Sequence, residues 1–138
     1  ITTSETDLLL FCTVKNSFTP EMIEGIRNGI PITFTFLIKL DKVNNNWFDT
    51  TLADLTLQHT LTYDTLKEQY RVQLSERSQQ MITTNSIDKA KKIMAELSGI
   101  KIIAHNQLTP DTPYVIRVKA KLAEKTLPFN MHYIIPFI

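Results

Sequence analysis

The stretch Ile32-Thr33-Phe34-Thr35-Phe36-Leu37-Ile38-Lys39-Leu40 decides the fold. Ile32, Phe34, Phe36, Ile38 and Leu40 recur at every second position, with Thr33, Thr35 and Lys39 between them. A strand sends successive side chains to opposite faces, so this period of two predicts a strand with one face in the core. Residues 41–46, Asp-Lys-Val-Asn-Asn-Asn, read as a turn, because asparagine and aspartate bond their own backbone and tolerate positive φ. The chain then returns as a second alternating segment from about 47 to 63. Leu55, Leu57, His59, Leu61 and Tyr63 share one face there. That segment exceeds ordinary strand lengths, so a bend or bulge within 49–54 is expected to split it.

The same reading extends outward. Tyr70, Val72 and Leu74 continue the alternation, and 79–83 suits a short edge strand. Tyr114, Ile116, Val118, Ala120 and Leu122 alternate with Arg117, Lys119 and Lys121. Further strands are predicted over 8–15, over 100–104 and from about Phe129 onward. Two helices interrupt them. Thr19-Pro20 opens one over about 20–28, and Asn28-Gly29 closes it, with Met22, Ile23 and Ile26 inward. Asn85 or Ser86 opens another over about 86–98. Its stripe is Ile87, Ala90, Ile93, Met94 and Leu97, with Gly99 as its stop. Seven or eight strands joined by turns, without regular βα alternation, point to antiparallel sheets. One-sided burial along each strand predicts an immunoglobulin-like β-sandwich with two short helices, and a β-barrel with a lid helix is the alternative. Phe34, Phe36, Leu55, Leu57, Ile116 and Val118 are the expected core.

The 138 residues fit one domain able to bury a core without disulfides or metal. A net charge of +1 supplies no clustered basic surface for nucleic acid, so no nucleic-acid partner is expected. No apolar run approaches the roughly 20 residues of a membrane span. The one cysteine, Cys12, falls in step with Leu8, Leu10 and Val14 and reads as a buried thiol.

Catalytic chemistry finds no support in the spacing. His59, His105 and His132 show no ligand spacing, and zinc needs three or four converging ligands. The serines fall at ends and turns, none in a strand-turn-helix nucleophile motif. Glu21 and Glu24 read as a helix first turn, where negative charge complements the dipole. No cofactor and no catalytic residue is assigned. The candidate interaction residues are Trp47, Tyr63, Tyr70, Arg117, Lys119 and Lys121. Each has a structural alternative. Tyr63 and Tyr70 flank a turn and suit a tyrosine clamp, while the basic residues suit a solvated strand face.

Gly29-Ile30-Pro31, Trp47 and Leu61-x-Tyr63-x-x-Leu66-x-x-x-Tyr70-Arg71-Val72 carry a family resemblance. Ala90, Leu97, Leu108, Tyr114, Arg117 and Leu127-Pro128 extend it over roughly residues 20 to 130. On these positions the chain resembles the bacterial family catalogued as domain of unknown function 4390. The resemblance implies an exported protein made with an N-terminal signal segment, which suits a chain that starts at Ile1 rather than Met. It implies no catalytic residues. The resulting expectation is a non-enzymatic binding or accessory module of the cell envelope, periplasmic or otherwise extracytoplasmic. Its partner is expected to be an envelope or membrane-associated protein. The alternative is a carrier of an apolar ligand held between sheet and helix, and an enzyme is the weakest reading.

Overall fold

A computed structural model describes residues 2–4, 6–45, 47–78, 80–122 and 125–135, the last segment as backbone only. Nine strands are present in it: β1 (Thr2–Thr3), β2 (Asp7–Thr13), β3 (Ile32–Lys42), β4 (Thr50–Asp64), β5 (Gln69–Leu74), β6 (Gln80–Thr84), β7 (Glu96–Ala104), β8 (Tyr114–Leu122) and β9 (Lys125–Ile135). The helices are α1 (Pro20–Arg27) and α2 (Ile87–Ala95). One sheet has the order β1-β2-β7 and the other β6-β5-β4-β3-β8-β9, and every pairing is antiparallel. The fold is a mainly β, two-sheet sandwich. The larger sheet ends on β6 and β9 rather than closing, so the barrel alternative falls.

β3 is the spine. Phe34, Phe36, Ile38 and Leu40 are fully or almost fully buried, as are Ile116, Val118 and Ala120 on its neighbour β8. Phe34 meets Phe36 edge-on at 6.4 Å between centroids and Phe18 at 5.1 Å. Leu8 and Leu10 of β2, Met94 of α2 and Leu97 of β7 join the same buried cluster, so both sheets and both helices share one core. Cys12 is only half-buried at its edge.

α1 follows its end signals. The Thr19 hydroxyl accepts the Met22 N–H, and Pro20 occupies the first turn. Gly29 sits at φ 87, its N–H bonds Ile26 O, and the Ile30 N–H reaches back to Gly25 O. These two bonds satisfy helix-end carbonyls that would otherwise lack donors.

Five expectations need correction. The second helix stops at Ala95 rather than near 98, because the Val14 N–H takes Ala95 O and β2 pairs with the chain from Glu96 onward. Gly99 therefore does not stop a helix. At φ 64 it forms a bulge in β7, where the ladder slips between Leu10↔Ile100 and Cys12↔Leu97. Asp41 is not a turn residue. It is the next-to-last residue of β3, 4% exposed, holding Arg117 at 2.6 Å and the Thr51 hydroxyl at 2.8 Å. The expected bulge in β4 is present, between Ala53 and Thr51, but it leaves the strand unbroken. Finally, Leu55 and Leu57 are half-buried rather than core. The β5 ladder ends at Leu74, opposite His59, so among the described residues no strand pairs with that edge of β4 over residues 50–58, and β3 alone pairs with the strand there.

Candidate functional site

Two aromatic side chains stand on the β3–β4 turn with almost nothing around them. Trp47 is 81% and Phe48 95% exposed. The turn that carries them is braced. The Asn44 side-chain amide donates to Phe48 O at 2.9 Å and to the Thr50 hydroxyl at 2.8 Å. The Val43 N–H donates to Pro113 O, tying the hairpin to the loop before β8. Large apolar side chains on a held loop keep their area in water, which burial elsewhere would relieve.

Tyr63 and Tyr70 do not join that patch. They face each other across the β4–β5 ladder, ring centroids 4.7 Å apart, and Tyr70 is 6% exposed. Trp47 precedes β4 and Tyr63 lies near its far end, about 40 Å away at roughly 3.3 Å per residue. The turn beyond Tyr63 is built by Asp64. Its carboxylate accepts the Leu66 and Lys67 N–H groups and the Arg71 guanidinium, the last at 2.7 Å. The Lys67 N–H is the largest cause holding this carboxyl below its ordinary range. The block from Leu61 to Val72 is thus a hairpin, with Glu68 at φ 53. The Leu66 side chain stands 95% exposed at the tip, although its N–H is one of the bonds that build the turn. The tyrosine clamp lies elsewhere. Buried Tyr114 accepts the Thr109 N–H on its hydroxyl at 2.7 Å and closes the loop before β8.

Arg117, Lys119 and Lys121 lie on the outward face of β8, beside Lys39, Leu37 and Thr35 of β3. Arg117 is committed to Asp41, while Lys119 and Lys121 carry no ion pair among the described residues. That leaves two of the three cations for a partner.

The spacing of the sequence gives no hint of the buried pair His59–Glu76. His59 is fully buried, edge-on to Phe36 at 4.9 Å. Nδ1 lies 2.9 Å from Met94 O, the last turn of α2, and Nε2 lies 2.6 Å from Glu76 Oε2. A carbonyl only accepts, so Nδ1 carries a proton. Burial pushes the Glu76 carboxyl up, but the hydrogen bond and charge of His59, with a backbone N–H, outweigh it and hold the group below its ordinary value. A single proton bridges Nε2 and Glu76 Oε2, and Nδ1–H donates to a carbonyl in the last turn of α2 that would otherwise lack a donor. His59 is closed off from solvent, while Glu76 reaches two open clefts, and the pair ties β4 and α2 to the turn at Ser75–Arg77. His105 lies in the loop after β7, and the side chain of His132 lies outside the described residues. Among the described residues no three of His, Cys, Asp and Glu converge as metal ligands. Among the described residues no helix is long and apolar enough to cross a membrane.

Two open clefts meet at Glu76, Arg77 and Ser98. One, of about 330 Å³, lies between α2 and β6 over Leu74, Ile82 and Ile93. The other, of about 370 Å³, lies between β4 and β7 over Leu55, Leu57 and Ile100. No curated protein and no solved structure matches the chain. A family model does, over residues 1–138, the whole sequence. The hairpin block and the scattered positions quoted above fall inside that match, and the chain belongs to the family described as domain of unknown function 4390.

Proposed function

We propose that this chain is a non-enzymatic, extracytoplasmic module of the bacterial cell envelope that docks on another protein through the β3–β4 turn. The observation that carries this reading is the pair Trp47 and Phe48, exposed on a turn braced by Asn44. Aromatic anchors contribute most of the energy at protein interfaces, and a held loop loses little entropy when it binds. Lys119 and Lys121 sit farther along the ladder, opposite Leu37 and Thr35, and are not part of this docking element. The enzyme reading stays the weakest, because the imidazole that would serve Glu76 as a partner is fully buried and tied to Met94 O.

Capture from envelope extracts tests the proposal. Wild-type protein should retain a partner in stoichiometric amount, and the double variant Trp47→Ala, Phe48→Ala should lose it more than about tenfold with an unchanged melting temperature. Equal capture by both proteins sinks this docking mode. Fractionation of cells making the full-length protein tests the location, and recovery in the cytoplasm contradicts it.

A second reading, a carrier of an apolar ligand, is favoured by the cleft over Leu74, Ile82 and Ile93. Native mass spectrometry of freshly purified protein decides it, since a carrier should bring a bound small molecule with it.

A further inference from the structure

β4 has a long free edge, and the chemistry beside it selects what can add there. The β5 ladder stops at the pair His59↔Leu74, but β4 continues through residues 50–58. The Gln58 N–H points away from β3 and is taken by the Ser75 hydroxyl at 2.8 Å. Backbone groups alternate sides along a strand, so Thr56 and Asp54 present their N–H and C=O groups on that same edge. None of these four groups has a hydrogen-bond partner among the described residues. On the inward face of this edge lie half-buried Leu55 and Leu57, above the cleft whose far wall is β7. Among the described residues β7 likewise pairs only with β2, so its other edge carries no strand.

The charge around this cleft and the adjoining one is one-sided. Arg77, Lys89, Lys92 and Lys101 line them against Glu76 and Glu96; Glu76 is paired with His59 and Lys101 with Asp7 at 3.3 Å, so Arg77 is the cation of the β4–β7 cleft with no ion pair among the described residues. We propose that an extended segment of a partner protein adds to β4 as a strand, with apolar side chains over Leu55 and Leu57 and an acidic side chain reaching Arg77. Strand addition takes its affinity from the backbone ladder and its selectivity from the alternate side chains that face the groove. Exposed Asp54 lies on the outward face, so acidic residues are disfavoured there and accepted on the groove side. This inference rests on the binding-module reading, but it uses residues separate from Trp47 and Phe48.

The probe is a blocked, dye-labelled heptapeptide of alternating valine and threonine with glutamate at both ends. It presents glutamate, valine, valine and glutamate on one face. Fluorescence anisotropy at low ionic strength should show saturable binding to the wild-type chain, and amide exchange should slow at Asp54 and Thr56. The peptide with lysine ends should bind more weakly. Methylating every second peptide nitrogen should abolish binding in one phase and spare it in the other, because only one set of N–H groups faces β4. Arg77→Glu should weaken the glutamate peptide about fivefold and favour the lysine peptide. Thr56→Pro removes an edge donor without touching the β3 ladder and should abolish binding. No binding at millimolar peptide, equal binding of the two charge types, or equal effects of the two methylation phases overturns the proposal. Peptide failure with partner capture through Trp47 and Phe48 intact refutes strand addition alone. Peptide binding with capture unaffected by loss of those aromatics refutes the turn as the docking element alone.

Discussion

At the scale of single residues, burial and partner chemistry decide what each group does. The Cys12 thiol is pushed up to about 11 by burial. At pH 8 roughly one thiol in a thousand is then ionised, and the thiolate is the reacting species. Cys12 should label with a maleimide far more slowly in the native protein than in denaturant, and equal rates would contradict its environment. His59 and Glu76 answer to a different rule. Removing one member of a buried pair costs about 3 to 5 kcal/mol, whereas an apolar replacement of both is often near neutral. His59→Ala should therefore destabilise strongly, and His59→Leu with Glu76→Leu should recover much of the loss. The Glu76 carboxyl is held below its ordinary range, so its contribution is complete above the unfolded value near 4.3 and declines as pH falls through the lower native value. Glu76→Gln should flatten the acid limb of stability measured by urea unfolding between pH 6 and acid. An unchanged limb would show that other carboxylates set it. The sequence makes His59 legible as an inward strand residue, because it keeps step with Leu57 and Leu61. Its partner is not legible, since Glu76 is brought to it by a single tight turn and Met94 by a helix.

At the scale of elements, local signals hold wherever no other segment competes for the same backbone. Thr19-Pro20 and Asn28-Gly29 bound α1 as their chemistry requires, and the alternation over β3 and β8 gives both strands with their inward faces. The end of α2 is where tertiary pairing wins. Leu97 continues the helical stripe of Ile87, Ala90 and Met94, yet it is a buried strand residue opposite Cys12. A period of 3.6 and a period of two agree over so short a span, and only the presence of β2 chooses between them. Gly25 and Gly99 separate the two roles of glycine. Gly25 lies inside α1, and an added methyl would meet Ile30 at an ordinary 3.7 Å. Gly25→Ala should stabilise by about 0.4 to 1 kcal/mol through a less free unfolded chain. Gly99 sits at φ 64, where an L-residue costs roughly 1 to 2 kcal/mol. Gly99→Ala should lower stability by about that amount. Chemical denaturation of the pair decides, and matching signs would overturn the assignment of Gly99 to a bulge.

At the scale of the whole molecule, the two sheets are unequal. The three-stranded sheet with α1 and α2 covers the six-stranded one incompletely, which leaves Leu55 and Leu57 half-buried at an open cleft. Periodicity assigns these leucines to the inward face correctly, but which inward residues are covered depends on where β5 ends, and no local pattern encodes that. The covered part is nevertheless continuous: Leu10 of the small sheet and Phe36 of the large one are both fully buried in one cluster with Met94 of α2. A shared core should make unfolding a single transition. Leu10→Ala and Phe36→Ala should then act alike although they lie in different sheets. Each truncation removes transfer energy and leaves a cavity, at a cost of about 2 to 5 kcal/mol. For a chain of this length that lowers the melting temperature by more than about 4 °C. The far-ultraviolet and tryptophan signals report different parts of the structure, the second through Trp47 on the β3–β4 turn. Because Trp47 is exposed, its emission is a weak probe, and Leu10→Trp in an otherwise Trp47→Phe background would report the small sheet directly if the larger ring is tolerated. Near-ultraviolet dichroism of the buried Phe34, Phe36 and Tyr114 avoids that substitution. Coincident far- and near-ultraviolet transitions, shifted together by either truncation, are the expected result. A Leu10→Ala transition that splits in two would show that the small sheet melts on its own, and the sandwich would then be two stability units joined at β7.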